Sequence, residues 1–313
     1  MPTPGAKDYA IDAALTNFAV NYRLSGMVGR QVITNIPVSK ENGEYHKWTK
    51  DDIFRLPTTD RAEGAEANEI EIGKTNVTYS CNEHSLRIPL TYRSRDNADS
   101  VLGIRTAKTQ WVEDFLQLRL EKKIVALYTD ASVPSATLTG TAQWEDAGGE
   151  GTTANPEKDI DAGKESIRKA TGGKNPNIII IPAAVAKIMK RFSKIRDLIK
   201  YTHSDILTND SDLPATLWGM RVYVPSPVET TSQEGATAVR ADVWGDAVYL
   251  AYISPIPDPD TFTFASLFWK TQEVRIYDEP KRKAELIEAS HIYDLGIVDA
   301  EAAYAVKDTS DAF

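Results

Sequence analysis

The side chains best suited to chemistry are scattered along the chain. Four histidines, His46, His84, His203 and His291, stand far apart, and the single cysteine, Cys81, lies three residues before His84. A thiolate and an imidazole at that spacing supply two of the four ligands that zinc takes; no second pair follows, so they read as an ordinary strand-end pair. No Gly-x-Ser-x-Gly elbow is present to raise a nucleophilic serine. Gly172-Gly173-Lys174 lacks the upstream glycine and following Ser/Thr of a phosphate loop and reads as a turn. Asp205 to Asp212 lacks the glycine and closing glutamate of a calcium loop. Asp258 and Asp260 flank Pro259, which makes a proline-rich turn a better account than a catalytic acid pair. The expectation is no catalytic, cofactor-binding or metal site, and no enzyme.

The elements that would have to position any such site centre on Ala98 to Tyr128. Its apolar residues fall largely at helical spacing, with Lys108, Glu113, Arg119 and Lys122 left to polar faces. Asp99 or Ser100 can cap its start. A helix of about thirty residues would run roughly 45 Å. It lacks the sustained charged heptads of a coiled coil and reads as a strut, with Trp111, Phe115, Leu118 and Ile124 expected in its core.

A chain of 313 residues with 42% hydrophobic content can bury a substantial core, and its length suggests about two domains. One cysteine rules out an intrachain disulfide framework and fits a reducing compartment. No stretch of eighteen apolar residues occurs and the start lacks a basic, then apolar, segment, so neither a membrane span nor a signal peptide is expected. A net charge of −9 opposes gripping nucleic acid through its phosphates, which needs clustered cations. Two basic runs, one from Lys187 to Lys200 and one at Lys281 to Lys283, read as solvated faces.

In chain order, Ile11, Leu15, Phe18, Ala19 and Tyr22 form a helical stripe on an N-terminal segment. Gln31 to Val38 reads as a strand, Ser39 to Glu44 as a turn around Asn42-Gly43, and Tyr45 to Trp48 as the returning strand. A loop at Pro57 to Ala67 precedes strand-like alternation through Ile70, Ile72, Val77 and Tyr79. So charged a hairpin is marginal alone and is expected to lean on another subunit, with a fold-back on its own domain as the alternative. Leu86 to Tyr92 leads into the long helix. Beyond the small-residue stretch Ala131 to Pro156, a helix at Asp159 to Ala170, the buried strand Ile178 to Ile181, a helix at Ala183 to Phe192 and strands at Leu217 to Val224 and Val243 to Tyr252 make a mixed α/β unit. Strands at Phe262 to Trp269, Glu273 to Asp278 and Ala284 to Tyr293 follow, with a short ending near Ile297 and Tyr304 to Val306. They need a partner, and so does the long helix, so the middle unit is expected to interrupt a domain made of both.

That order of elements resembles the tailed-bacteriophage major capsid proteins of the Hong Kong 97 fold. Local matches are Arg61-Ala62-Glu63-Gly64-Ala65, Leu217-Trp218-Gly219-Met220-Arg221-Val222, and the ending from Val274-Arg275-Ile276-Tyr277-Asp278-Glu279 through Ile292-Tyr293-Asp294-Leu295-Gly296-Ile297. The resemblance implies an α+β capsid fold with an N-arm (1–30), an extended loop (31–75), a peripheral domain with its spine helix (76–148 and 264–313) and an inserted axial domain (149–263). It implies self-assembly through pentamers and hexamers into an icosahedral shell that encloses double-stranded DNA without sequence-specific binding. The extended loop would lie over a neighbour, with Lys40, Glu41, Asn42, Gly43, Glu44, Tyr45, Trp48 and Arg61 as assembly contacts. Implied partners are further copies of the chain and scaffolding, portal and decoration proteins. No long helical segment precedes the arm, which implies a separate scaffold. The implied location is the virion capsid, assembled in the host cytoplasm. Two alternatives stay open: an encapsulin-type shell, and more distantly a soluble α/β hydrolase.

Overall fold

The computed structural model describes residues 15, 16, 19, 26–98, 101–144, 153–192, 195, 213–233 and 235–310. The first strands are β1 (Thr34–Pro37), β2 (Asn42–Trp48), β3 (Lys74–Ser80) and β4 (Asn82–Thr91), with short helices α1 (Lys50–Phe54) and α2 (Tyr92–Asp96) between and after them. Next come the long helix α3 (Val101–Tyr128), β5 (Ser135–Thr137), α4 (Pro156–Ala170), β6 (Ile178–Ile180) and α5 (Ala183–Met189). The chain ends with β7 (Thr216–Leu217), β8 (Met220–Tyr223), β9 (Val228–Thr230), β10 (Arg240–Asp242), β11 (Val248–Ala251), β12 (Ala265–Glu279), β13 (Ala284–Ile297) and β14 (Ala303–Lys307).

One sheet runs β1-β12-β13-β4 and carries α3. Its centre is the ribbon of β12 and β13, antiparallel from Ala265↔Ile297 to Glu279↔Ala284. Helix α3 turns Val112, Leu116, Leu120 and Ile124 inward, a four-residue repeat that keeps one face on the protein interior. Val112 and Leu116 meet Val274, Ile287 and Ala289 of the ribbon, and Leu15 and Ala19 of the N-terminal segment close that cluster. Further along, Leu120, Ile124 and Tyr128 enter the largest core, with Tyr249, Phe264 and Tyr293.

The second sheet runs β5-β14-β11-β6-β8-β7. The isoleucine run at β6 is buried on both faces: Ile179 points into the cluster holding Ile160 and Ile167 of α4, while Ile178 and Ile180 face the largest core. Asn155 caps α4 by accepting from the Lys158 N–H, with Pro156 in the first turn, where its missing N–H costs nothing.

Several expectations need correction. Gln31 to Val38 does not pair with the strand after it: β1 lies parallel to β12, and the hairpin is β2 with β3, joined from Asn42↔Ser80 to Trp48↔Lys74. Asn42-Gly43 therefore opens a strand instead of making a turn, because the body of the first sheet competes for β1. The strands proposed at Phe262 to Trp269 and Glu273 to Asp278 are one long strand with a register shift between Trp269 and Thr271. The C-terminal strand β14, expected beside the long helix, pairs with β11 and β5 in the six-stranded sheet, so sheet membership does not follow the boundaries at 148 and 264. The proposed cap at Asp99 or Ser100, the acidic stretch Asp205 to Asp212, His203 and most of the N-terminal stripe lie outside the described residues.

Candidate assembly surfaces

The β2–β3 hairpin springs from the first sheet at a well-packed root. Tyr79 stacks on Phe268 with ring centroids 4.5 Å apart, and Tyr45 lies 5.3 Å from the same ring. The Ser80 N–H donates to Asp294 at 2.8 Å, and Lys270 pairs with Glu41 at 2.6 Å. Further out the hairpin leans on the other end of its own subunit. The His46 N–H donates to Asp260 at 2.7 Å, and Lys50 pairs with Glu301 at 2.9 Å and with Asp299. Phe54 sits against Gly172, whose φ of +67° and tight contact leave no room for a side chain. Between the hairpin and the body lies a cleft of about 180 Å³, lined in part by Trp48, Phe54, Lys174 and Phe262. The hairpin thus folds back on its own chain, a correction to the expectation that it leans on another subunit.

Beyond this clamp the chain has no helix or strand from 55 to 73, and every residue from 53 to 72 is exposed. Leu56 is 92% exposed and Ile70 67%. Within the segment Asn68 Nδ2 donates to the Thr58 carbonyl at 2.6 Å and Arg61 Nε to the Ala65 carbonyl at 2.5 Å, while Gly73 at its end is tied to Thr49 and Asp52. Structureless loops of this length inside folded chains are usually binding segments or linkers.

Among the residues proposed as contacts, Lys40, Glu41, Asn42, Glu44, Trp48 and Arg61 are exposed, and Gly43 is half-buried beside the Tyr79 ring. Tyr45 is buried among Ile36, Cys81 and Phe268 and has no surface to offer a neighbour; its strand position alternates inward. On the long helix Ile124 is fully buried and Leu118 half-buried, whereas Trp111 is 55% exposed and Phe115 63%. Those two aromatics lie on the helix face turned away from the sheet, so they are not core in this subunit. Their spacing alone could not tell which of two apolar stripes the sheet would cover.

A buried carboxylate, unremarked in the sequence, ties three parts of the chain together. Glu121 of α3 accepts from the Val28 N–H at 3.2 Å, the Gly29 N–H at 2.7 Å and the Trp244 indole at 2.8 Å. A side chain at Gly29 would collide with that carboxylate. Burial pushes the Glu121 carboxyl above the usual glutamate value, against the pull of its three donors. Just over two turns before it, Glu113 accepts from or pairs with His291 at 2.9 Å and accepts from Gln272 at 3.1 Å in the same helix–sheet seam.

Among the described residues, chemistry of the kind weighed in the sequence is not assembled. Among the described residues no group of His, Cys, Asp and Glu could hold a metal ion. The Cys81 thiol is buried with its pKa raised by burial, and His84 lies 2.9 Å from the Lys123 ammonium with its pKa lowered by burial and by that neighbour. Asp258 accepts from the Asp260 N–H within a turn and forms no acid pair. No described helix is long and apolar enough to cross a membrane.

No family model matches the chain. It is 27% identical over 313 residues to the major capsid protein of Burkholderia phage BcepMu, covering 95% of this chain and 96% of the relative. Among solved structures, a phage-related protein from Bordetella bronchiseptica superposes with a TM-score of 0.70 at 20% identity, covering 96% of this chain and 97% of the other. The mature capsid of bacteriophage PhiM1 superposes with a TM-score of 0.55 at 13% identity, over 92% and 88%. The chain is thus similar over 95% of its length to a phage major capsid protein, and it shares the Hong Kong 97-type α+β fold of solved phage capsids.

Proposed function

We propose that the chain is the repeating subunit of an icosahedral phage head, closing through pentamers and hexamers around double-stranded DNA. The observation that carries this reading is the near-complete match to a phage major capsid protein, 95% of one chain against 96% of the other. The fold adds a physical reason. A twenty-residue exposed segment with isolated apolar side chains has little stability of its own, and ordering it on a neighbouring copy couples folding to assembly. Heterologous contacts repeated by rotation close into rings, and rings joined along further axes close into a shell. The net charge of −9 suits a container that must not grip its DNA tightly. Scaffolding, portal and decoration proteins and assembly in the host cytoplasm belong to the same proposal. An encapsulin-type shell shares the fold; the names of the relatives favour the phage head.

The test is expression of the full chain in bacteria, followed by negative-stain microscopy and light scattering. Capsomer rings or closed polyhedral particles are the expected result, with or without a co-expressed scaffold. A monomer or dimer under both conditions would sink the proposal, and particles filled with a specific protein cargo would favour the encapsulin-type shell.

A further inference from the structure

The outward face of α3 joins exposed aromatic side chains to a single sign of charge. Trp111 and Phe115, 55% and 63% exposed, stand one turn apart there. Half-buried Ile104 and Leu118 lie seven residues to either side of Trp111, so the apolar row steps by seven, four and three residues and spans roughly 21 Å. The charged side chains on that face are all cations. Lys108 sits 5.9 Å from the Trp111 ring, Lys122 is exposed, and exposed Arg119 makes no ion pair among the described residues. The carboxylates of α3 are elsewhere: Glu113 and Glu121 are buried, and Asp114 is half-buried at the margin of the row. In a chain of net charge −9, this face is a local departure from the whole.

The row is bounded on one side by β4, where Lys108 donates to the Pro89 carbonyl at 2.9 Å, and on another by β9, where Lys122 pairs with Glu229 at 2.7 Å. The N-terminal segment reaches α3 on the sheet side instead. Leu15 and Ala19 join Val112 and Leu116 there, and Gln272 donates to the Ala19 carbonyl at 3.1 Å, so those apolar groups are already engaged. Apart from α3, only α4 among the described helices is longer than eight residues, and it turns Ile160 and Ile167 into its own sheet. A second copy therefore offers no described helix for this row except α3 itself. Two α3 faces laid together would set Lys108, Arg119 and Lys122 against like charges.

From this we infer that the outward face of α3 is a docking site for an acidic amphipathic helix of a separate protein. The apolar stripe of that helix lies along Trp111, Phe115 and Leu118, and its flanking carboxylates meet Arg119 and Lys122. Aromatic anchors of this size carry most of the energy of such a contact, while the cations select the sign of the partner. Nucleic acid fits the face less well: its phosphates need clustered cations, and they would leave Trp111 and Phe115 in water. The partner's role as a protein that gathers subunits rests on the shell-subunit reading; the docking face itself does not.

The test uses the full chain held as unassembled subunits and two labelled synthetic helices of about twenty residues. Each has leucine along one face, flanked in one by glutamate and in the other by lysine. Fluorescence anisotropy is expected to show the glutamate helix binding roughly tenfold more tightly than the lysine helix. Trp111→Ala with Phe115→Ala, and separately Arg119→Glu, are each expected to weaken that binding by about tenfold, with circular dichroism showing both variants folded. Equal affinity for the two helices, no binding of the glutamate helix, or binding that survives all of these substitutions would overturn the inference. So would a short DNA duplex that binds more tightly than the glutamate helix and is lost with Arg119→Glu. Those results leave the shell reading intact, because particle formation by the unaltered chain is scored separately. A glutamate helix that binds as expected, with no ring or particle formed with or without scaffold, would remove the shell reading and keep the docking face.

Discussion

Glu121 shows what a single buried side chain contributes and how that contribution depends on pH. It satisfies three donors from the N-terminal segment and from the turn before β11. Glu121→Ala would leave them buried without an acceptor and is expected to cost about 3 kcal/mol, read from denaturant unfolding. The sign of the pH effect follows from burial raising its folded pKa above the unfolded value. Its contribution is then complete below the unfolded glutamate value and declines as pH rises through the raised folded one. The destabilisation by alanine should therefore be larger in mild acid than at neutral pH; the reverse order would contradict the assignment. Nothing in the sequence marks this residue, because its importance comes from Val28, Gly29 and Trp244, which are remote along the chain. The scattered histidines and lone cysteine, by contrast, form no repeated pattern of the kind that ligand and triad chemistry need.

At the scale of elements, the long helix divides its large residues between two faces. Ile124→Ala should cost about 2–5 kcal/mol, because the cavity lies in the largest core. Trp111→Ala should shift subunit stability by no more than about 1 kcal/mol, since that side chain is mostly in solvent. Thermal unfolding of the two variants side by side checks the division, and equal losses would mean that the exposed face is covered within the subunit. The length and helicity of this element were legible in its apolar spacing. Its buried face was not, because a stripe of Trp111 and Phe115 is as apolar as one of Leu116 and Ile124, and only the sheet decides between them. The same limit applied to β1: its branched residues announced a strand, but the choice between β2 and β12 as partner depends on a segment more than two hundred residues away.

For the whole molecule, the long helix, the α/β elements that follow it and the closing strands were legible among the described residues, since each has its own periodicity. What resisted reading was how the inserted unit is closed. Its sheet is completed by β14 from the end of the chain and β5 from just after the long helix, paired in parallel at Ala305↔Ser135 through Lys307↔Thr137. β11 receives β14 on one side and β6 on the other. A fragment spanning only 149–263 would therefore leave β11 with a bare, fully apolar edge, its residues Val248, Tyr249, Leu250 and Ala251 all buried in the intact chain. Such an edge recruits further strands. The fragment should form amorphous aggregates on purification, which negative-stain microscopy would distinguish from the rings or particles expected of the full chain.

The consequence reaches synthesis on the ribosome. β14 comes after every other described strand, so the six-stranded sheet waits for about three hundred residues before its open side is covered. A nascent subunit is thereby exposed to mispairing until β14 has emerged, and chains truncated before Ala303 would be culled by insolubility before they could enter a growing lattice.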